Sequence, residues 1–221
     1  MQTMKEETVK DEAVLLEEVS SGNRQAFREV VSRYLVLVSR TSYRIMCDRG
    51  DSEAVTKSVF QSLWRDPRLF KGRLANELLT RTCRQCRIRL LRRSLYTILS
   101  INQEVFVFSA PAVPSADEYV ARKAWEVFCR ASDNSTGTQR IAYALCELEG
   151  LSRKEAASVG RIPPSLIDEA LETARENIRF ELDHYGRMDD YDSYVGFLRK
   201  VEDQLTDFGR LIRSIMESTG R

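Results

Sequence analysis

The chain has 221 residues, of which 43% are hydrophobic and 30% are charged, and its formal net charge is +1. This balance is typical of a soluble globular protein and excludes a disordered or fibrous chain. No apolar run approaches the roughly 18 residues of a membrane-spanning helix, and the charged N-terminus MQTMKEETVKDE lacks the apolar core of a signal peptide. We therefore expect a cytoplasmic protein of one large or two small domains.

The small net charge hides an uneven distribution along the chain. Residues 20–97 carry 17 Lys or Arg against six Asp or Glu, a net of +11, whereas residues 1–19 and 98–221 carry net charges of −4 and −6. A basic block of this size predicts a polyanionic partner for that segment alone. The alternative is a solvated basic face, or a surface that meets an acidic part of the same chain.

Helical periodicity dominates the first half of the chain. Apolar side chains recur at spacings of three and four, as between Ala26 and Val38, which gives a helix one apolar face. Pro67 and Gly72 interrupt the pattern. The predicted helices lie at about 11–20, 26–47, 52–64 and 75–95, with a turn at 48–51 and a loop at 65–73.

The second half begins with a change of character. Residues 96–118 have no helical period, so we expect a linker over 96–117, with a short strand or a docking segment at 105–108. Ser152 followed by Glu155 is typical of a capping box at the start of a helix. The helices predicted beyond the linker lie at about 117–131, 138–149, 152–159 and 164–183.

The last amphipathic stretch covers residues 191–217. Apolar residues from Tyr194 to Ile215 alternate spacings of four and three, which is a heptad seam. About three heptads are marginal for an isolated coiled coil, so we expect this helix to pack on its own chain or on a partner.

Three segments together resemble the extracytoplasmic-function class of bacterial RNA polymerase sigma factors. The first contains Leu15-Leu16, Ser21-Gly22-Asn23, Ala26-Phe27 and Tyr34; the second is SEAVTKSVFQSLW at 52–64, followed by Phe70 and Leu91-Arg92-Arg93. The third is RIAYAL at 140–145 with EGLSRKEAA at 149–157, which is similar to the first half of the family's helix-turn-helix. No segment is specific alone, and their order and spacing carry the resemblance.

The resemblance implies an all-α fold of two small helical domains. A sigma region 2-like bundle is expected over 12–95 and a region 4-like helix-turn-helix domain over 118–186, joined by the linker. Residues 187–221 extend past the family's usual length. We expect this amphipathic helix to pack on the second domain or the linker and to hold the factor in an inhibited state.

In the family, the helix similar to 52–64 helps to dock on core RNA polymerase, and the loop and helix after it bind the melted −10 element of the promoter. The resemblance therefore implies polymerase contacts at Glu53, Thr56, Lys57 and Phe60. It also implies contacts with single-stranded DNA, in which the cations bind phosphates and aromatic or guanidinium groups stack on bases. The residues implied are Arg65, Arg68, Phe70, Lys71, Arg73, Arg81, Arg84, Arg87 and Arg92. Trp64 lies on the apolar face, which favours a core position over stacking.

Some positions depart from the family pattern in the first domain. Ala54 and Lys57 stand where the family has an acidic residue and a glutamine. These two departures predict weaker, or diverged, docking on the polymerase.

The second domain departs further. A helix-turn-helix places the start of its second helix in the major groove. The residues predicted to meet −35 DNA are Arg153, Lys154, Arg161, Ser165, Asp168, Glu169 and Glu172. Residues 164–182 carry a net charge of −3, and carboxylates repel phosphates, although one acid could accept a hydrogen bond from cytosine N4. The domain is therefore predicted either to read DNA weakly or to bind protein.

No enzyme, cofactor or metal signature stands out. The sequence has no Gly-rich phosphate loop, H-E-x-x-H motif or nucleophile elbow. Cys83-x-x-Cys86 has metal-like spacing, but no second pair or nearby histidine supports zinc, and the five cysteines are interpreted as reduced thiols.

We therefore expect a non-enzymatic sigma factor without cofactor, membrane association or small-molecule substrate. Its expected partners are core RNA polymerase and promoter DNA, with an anti-sigma factor as a further candidate. The first alternative is a sigma-like regulator that has lost specific DNA reading and acts by protein contacts. A generic helix-turn-helix repressor is the second, and it leaves the arginine-rich helix unexplained.

Overall fold

The computed structural model describes residues 11–71, 73–99, 116–185, 194–196, 198 and 208–218, and every regular element within these ranges is helical. The all-α prediction is therefore confirmed. The helices are α1 (Glu12–Ser20), α2 (Arg24–Met46), α3 (Arg49–Arg65), α4 (Leu74–Leu99), α5 (Ala116–Asp133), α6 (Gly137–Tyr143), α7 (Arg153–Gly160), α8 (Ile167–Tyr185) and α9 (Phe208–Glu217). A π-helical segment (Ala144–Leu148) continues α6, and single 3-10 turns lie at Pro67–Leu69 and Pro164–Leu166.

Most predicted helices are present with shifted ends, and capping explains one of the shifts. Asp48 is the N-cap of α3, and its carboxylate accepts a hydrogen bond of 2.7 Å from the backbone N–H of Asp51. An N-cap carboxylate satisfies an amide that the first helical turn leaves without a partner. The helix therefore begins at Arg49, inside the predicted turn, rather than near Ser52. None of the described helices is long and apolar enough to cross a membrane.

Helices α1 to α4 pack around a common core. Phe27 and Phe60 are fully buried in it. Trp64 is half-buried and packs against this core, with its ring 5.0 Å from that of Phe27, on the apolar face where the sequence places it. Glu12 ties three of these helices together. Its carboxylate accepts hydrogen bonds from the Tyr34 hydroxyl and, over 3.1 Å, from the backbone N–H of Leu74 at the start of α4.

The predicted second domain packs directly on the first. Ile141, Leu145 and Ala156 belong to the same buried cluster as the core of α1–α4. Polar contacts join the halves as well, since Thr41 on α2 donates a hydrogen bond of 2.7 Å to the carboxylate of Glu149. Because both predicted domains contribute to one core, the boundary between them stays a prediction.

A second cluster forms where α5 packs on α8. Trp125 and Phe128 on α5 meet Leu171 and Ile178 on α8, and Tyr143 joins them from α6. This packing fixes the buried face of α8, and it leaves Asp168, Glu169 and Glu172 exposed.

The C-terminal residues pack on both halves of the chain. Tyr194 and Leu198 are fully buried in the second cluster, and the Tyr194 hydroxyl donates a hydrogen bond of 2.7 Å to the carbonyl of Ala124. Helix α9 instead lies across α2 and α3, where Leu211 and Ile215 are buried in the first cluster. The prediction that this stretch packs on the second domain or the linker is thus wrong for α9.

The predicted linker 96–117 is helical at its two ends, since α4 continues to Leu99 and α5 begins at Ala116, and residues 100–115 lie outside the described residues. Two further expectations lie outside them as well. One is the strand or docking segment at 105–108, and the other is the middle of the heptad seam, which contains Val201 and Leu205.

Candidate nucleic-acid interface

The arginine-rich region of α4 and the loop before it provide the first part of the candidate interface. The apolar side of α4 is buried in the first cluster, so its charged side chains lie on the side that faces solvent. The residues of the predicted −10 contact that are exposed are Arg65, Arg68, Lys71, Arg73, Arg84 and Arg92. Their exposure leaves these cations accessible to a polyanion.

Phe70 and Arg81 were predicted to contact DNA, but they contact each other. Phe70 is only 4% exposed, and the guanidinium carbon of Arg81 lies 4.1 Å from the centre of its ring. Arg81 also donates a hydrogen bond of 3.4 Å to the carbonyl of Leu69. The prediction that Phe70 stacks on a base is therefore corrected: its ring closes the core under the loop, and a cation–π contact holds Arg81 over it.

Arg87 has a structural role within the described conformation. Its Nη2 donates a hydrogen bond of 2.8 Å to the carbonyl of Gly160, the last residue of α7. A cation at a helix C-terminus satisfies a carbonyl without a partner and interacts favourably with the helix dipole. Arg87 thus joins α4 to the helix-turn-helix and is half-buried rather than presented to DNA.

The second part of the candidate interface consists of α7 and α8, the two helices of the predicted helix-turn-helix. Ser152 caps α7: its hydroxyl accepts a hydrogen bond of 3.3 Å from the backbone N–H of Glu155. In return, the Glu155 carboxylate accepts a hydrogen bond of 3.0 Å from the backbone N–H of Ser152. The predicted capping box is confirmed. The hydrogen bonds from the Ser152 hydroxyl and backbone hold the pKa of the Glu155 carboxyl below its ordinary value.

The turn between α7 and α8 depends on one left-handed residue and on one close approach to the backbone. Arg161 ends α7 in the left-handed conformation, with φ 51° and ψ 47°. The preceding Gly160 is buried, and a Cβ there would lie 3.0 Å from Cγ2 of Ile141 and 3.2 Å from Cδ1 of Ile162. The absence of a side chain at Gly160 therefore lets the turn pack closely on α6.

A surface groove of about 690 Å³ lies between α7 and α8. Arg153, Lys154 and Arg161 line it together, and all three are exposed. The structure therefore brings together the cations that the sequence predicted as phosphate contacts. Cations grouped in this way can neutralise phosphates of a nucleic-acid backbone, and the carboxylate of Asp168 lines the same groove.

The acidic residues of α8 are exposed as well, but two of them are paired within the domain. Asp168 forms an ion pair with Arg153, and Glu172 forms ion pairs of 3.1 and 3.3 Å with Arg175 and Arg179. The hydrogen bond and charge of Arg175 hold the pKa of the Glu172 carboxyl below its ordinary value. These pairs offset part of the negative charge of α8. One of them also uses Arg153, a cation of the groove, as the partner of Asp168.

Ser165 and Glu169 complete the predicted helix-turn-helix set. Both are exposed: Ser165 lies in the 3-10 turn just before α8 and Glu169 in the first turn of α8, the part of a recognition helix that meets base edges. Leu166 beside them is 45% exposed, although its apolar side chain predicts burial. An exposed leucine at this position can contact a thymine methyl group or an apolar side chain of a protein.

The residues predicted for the polymerase contact fall into two groups. Thr56 and Phe60 are fully buried, so these two predictions are corrected. Thr56 donates a hydrogen bond of 2.8 Å to the carbonyl of Ser52 within α3. Glu53 and Lys57 are half-buried on α3, where they meet α9.

The contacts of α9 were missed by sequence reasoning. Arg210 forms an ion pair with Glu53, and Lys57 Nζ donates a hydrogen bond of 3.2 Å to the Ser214 hydroxyl. The heptad seam predicts which α9 residues are apolar, but it carries no signal for the surface that they meet.

Among the residues that the structure describes, no group of three or more His, Cys, Asp or Glu could hold a metal ion. Cys83 and Cys86 are buried in the first cluster as small apolar side chains. Burial raises the pKa of the Cys83 thiol to about 12.

Comparison with known proteins gives no family assignment. No protein-family model matches the chain, and no curated protein matches it.

Proposed function

We propose that the protein is a cytoplasmic sigma factor that binds core RNA polymerase and directs promoter-specific initiation of transcription. The observation that carries this proposal is the exposed groove of the helix-turn-helix with its three cations, Arg153, Lys154 and Arg161. In the chain, this groove comes after the arginine-rich helix α4, which is the order that the resemblance to sigma factors implies. A repressor with one helix-turn-helix would not need that helix.

In the proposed mechanism, the two basic surfaces have different tasks. The cations of the groove neutralise phosphates of duplex DNA and position α8, while Ser165 reaches base edges. The exposed arginines of α4 and the preceding loop, among them Arg84 and Arg92, hold the backbone of the melted strand. Glu53 and Lys57 on α3 contact the polymerase.

The decisive experiment is a pull-down of purified bacterial core RNA polymerase, followed by run-off transcription from genomic fragments. Polymerase binding together with promoter-specific transcripts is the expected result. Failure of the full chain to bind polymerase under low-salt conditions, where electrostatic association is strongest, would contradict the proposal.

A matched pair of variants tests the groove separately. Lys154→Gln with Arg161→Gln removes two cations from the groove, so binding to duplex DNA should weaken. The slope of the logarithm of the binding constant against the logarithm of the salt concentration should become smaller by about two, one for each lost phosphate contact. Arg130→Gln is the control, because Arg130 is exposed on α5, away from the groove. Equal DNA binding by the double variant and the control would remove the groove from the mechanism.

A second function is favoured by the acidic side chains on α8. Asp168, Glu169 and Glu172 are exposed where a recognition helix would meet DNA, and they repel phosphates. They support a sigma-like regulator that acts through protein contacts, for example with an anti-sigma factor. Polymerase binding without transcripts from any fragment, and without duplex DNA binding, would favour this function.

A further inference from the structure

The face of α2 and α3 that carries Glu53 and Lys57 is covered by a segment of the same chain. Leu211 is 4% exposed and Ile215 is fully buried on the inner side of α9, and both belong to the core cluster of α1–α4. Ile212 and Met216 pack against the same cluster from its edge. Helix α9 therefore presents its apolar stripe to this face.

Polar contacts place α9 over the two side chains assigned to the polymerase. The Arg210 guanidinium pairs with the carboxylate of Glu53, and Lys57 Nζ donates a hydrogen bond of 3.2 Å to the Ser214 hydroxyl. At the other end of the helix, Arg24 on α2 donates a hydrogen bond of 3.1 Å to the carbonyl of Met216. A protein cannot contact Glu53 and Lys57 through this face while α9 occupies it.

We propose that α9 is an internal competitor that occupies the polymerase-docking face of α2 and α3 and is displaced when core polymerase binds. This inference rests on the proposed function, because it assigns the occupant of that same face. It replaces the expectation that the C-terminal helix inhibits from the second domain or the linker.

Three properties of α9 suit a displaceable competitor. It has ten residues, which is too short for a stable isolated helix, so its order depends on the face that it covers. Its ion pair with Glu53 is partly exposed, with side-chain exposures of 55% and 31%, and such pairs hold weakly. Being part of the same chain, it is present at a high effective concentration without a large interface.

The test uses the full chain with two acidic substitutions on the buried stripe, Leu211→Asp and Ile215→Asp. Burying two carboxylates without partners is unfavourable, so α9 should leave the face. Arg213→Asp is the matched control, because Arg213 is exposed on the same helix. Hydrogen exchange of the backbone amides in 211–217, and the reactivity of Lys57 with an amine reagent, report release without any polymerase. Circular dichroism checks that α1–α8 remain folded.

The second measurement is the dissociation constant of each protein for core polymerase. If α9 covers the face in about nine molecules of ten, its release should tighten binding about tenfold, while the control stays at the wild-type value. A second variant, Arg210→Ala with Ser214→Ala, removes only the polar contacts and should give a smaller gain in the same direction. It keeps the test available should the acidic variant unfold.

The outcomes separate the inference from the proposed function. Release of α9 with tighter polymerase binding supports both. Release with unchanged or weaker binding overturns the inference and leaves the proposed function in place. An α9 that stays docked despite both acidic substitutions also overturns the inference. If neither the wild type nor the released variant binds polymerase, the inference and the proposed function both fail.

Discussion

The guanidinium of Arg44 and the carboxylate of Glu149 form a buried ion pair between the two predicted domains. Arg44 Nη1 lies 2.9 Å from Glu149 Oε1, and their side chains are 1% and 4% exposed. Arg40 adds a second contact to the same carboxylate, at 2.8 Å from Oε2. Glu149 thereby joins α2 to the segment that leads into the helix-turn-helix, and the relative position of the two halves depends on it.

Replacing Glu149 by alanine should destabilise the protein by about 3 kcal/mol, because it leaves the buried Arg44 without its carboxylate. The free energy of unfolding from urea titration measures this loss. Glu29→Ala is the control, since it breaks an i,i+4 pair with Arg33 whose side chains are 35% and 24% exposed. The control should cost less than about 1 kcal/mol. Equal losses for the two variants would show that the buried pair does not join the halves.

Gly160→Ala should destabilise the fold by about 1–3 kcal/mol, because its Cβ would approach Ile141 Cγ2 to 3.0 Å inside a packed turn. Gly50→Ala is the matched control in the first turn of α3. The nearest atom to its Cβ, Oδ1 of Asp48, is 3.4 Å away, an ordinary contact. Alanine there should stabilise α3 by roughly 0.5–1 kcal/mol. Thermal unfolding of both variants checks the opposite signs, and a neutral Gly160→Ala would contradict the packing argument.

Two substitutions of Arg161 separate backbone strain from charge. Arg161 has a φ of 51°, so Arg161→Gly should be about 1 kcal/mol more stable than Arg161→Ala, because glycine adopts the left-handed conformation without a steric cost. Both variants lose the same cation and should bind duplex DNA more weakly than the wild type. Urea titration and fluorescence anisotropy measure the two effects. An alanine variant as stable as the glycine variant would exclude strain at this residue.

Stability should fall at alkaline pH through Tyr34. Burial, and then the hydrogen bond to Glu12, raise the pKa of Tyr34 from its ordinary 10.0 to about 12. As the pH rises, Tyr34 loses its proton in the unfolded chain before it does so in the folded chain. The stabilisation from protonated Tyr34 is therefore fully present below pH 10 and is lost as the pH rises to 12. Tyr34→Phe lacks this titration. Its unfolding free energy, measured between pH 8 and 11, should fall less steeply than that of the wild type, and parallel curves would refute the assignment.

The buried thiols of α4 should resist alkylation in the folded protein. Burial raises the pKa of Cys83 to about 12 and also raises that of Cys86, and the thiolate is the reactive form. At pH 8, mass spectrometry after a pulse of iodoacetamide should show slower labelling of these two residues than of the half-buried Cys146. All three should label at similar rates in urea. Rapid labelling of Cys83 without denaturant would mean that α4 opens readily.

The sequence by itself determined most of the described helices and one of their caps. Periodicity and capping act within a few residues, so the capping box of Ser152 and Glu155 and the packing of Trp64 against the core could both be predicted from local pattern. The clustering of Arg153, Lys154 and Arg161 followed from the same local geometry, because the two helices of a helix-turn-helix are joined by a short turn.

The tertiary structure alone decided which polar and aromatic residues are accessible. Thr56, Phe60 and Phe70 are buried, while Arg87 and Glu149 hold the two halves together. An amphipathic pattern specifies that a face is buried, but it does not specify the surface that buries it. Helix α9 covers α2 and α3 because that is where Leu211 and Ile215 lose their exposed apolar area, and such a choice depends on residues far apart in the chain.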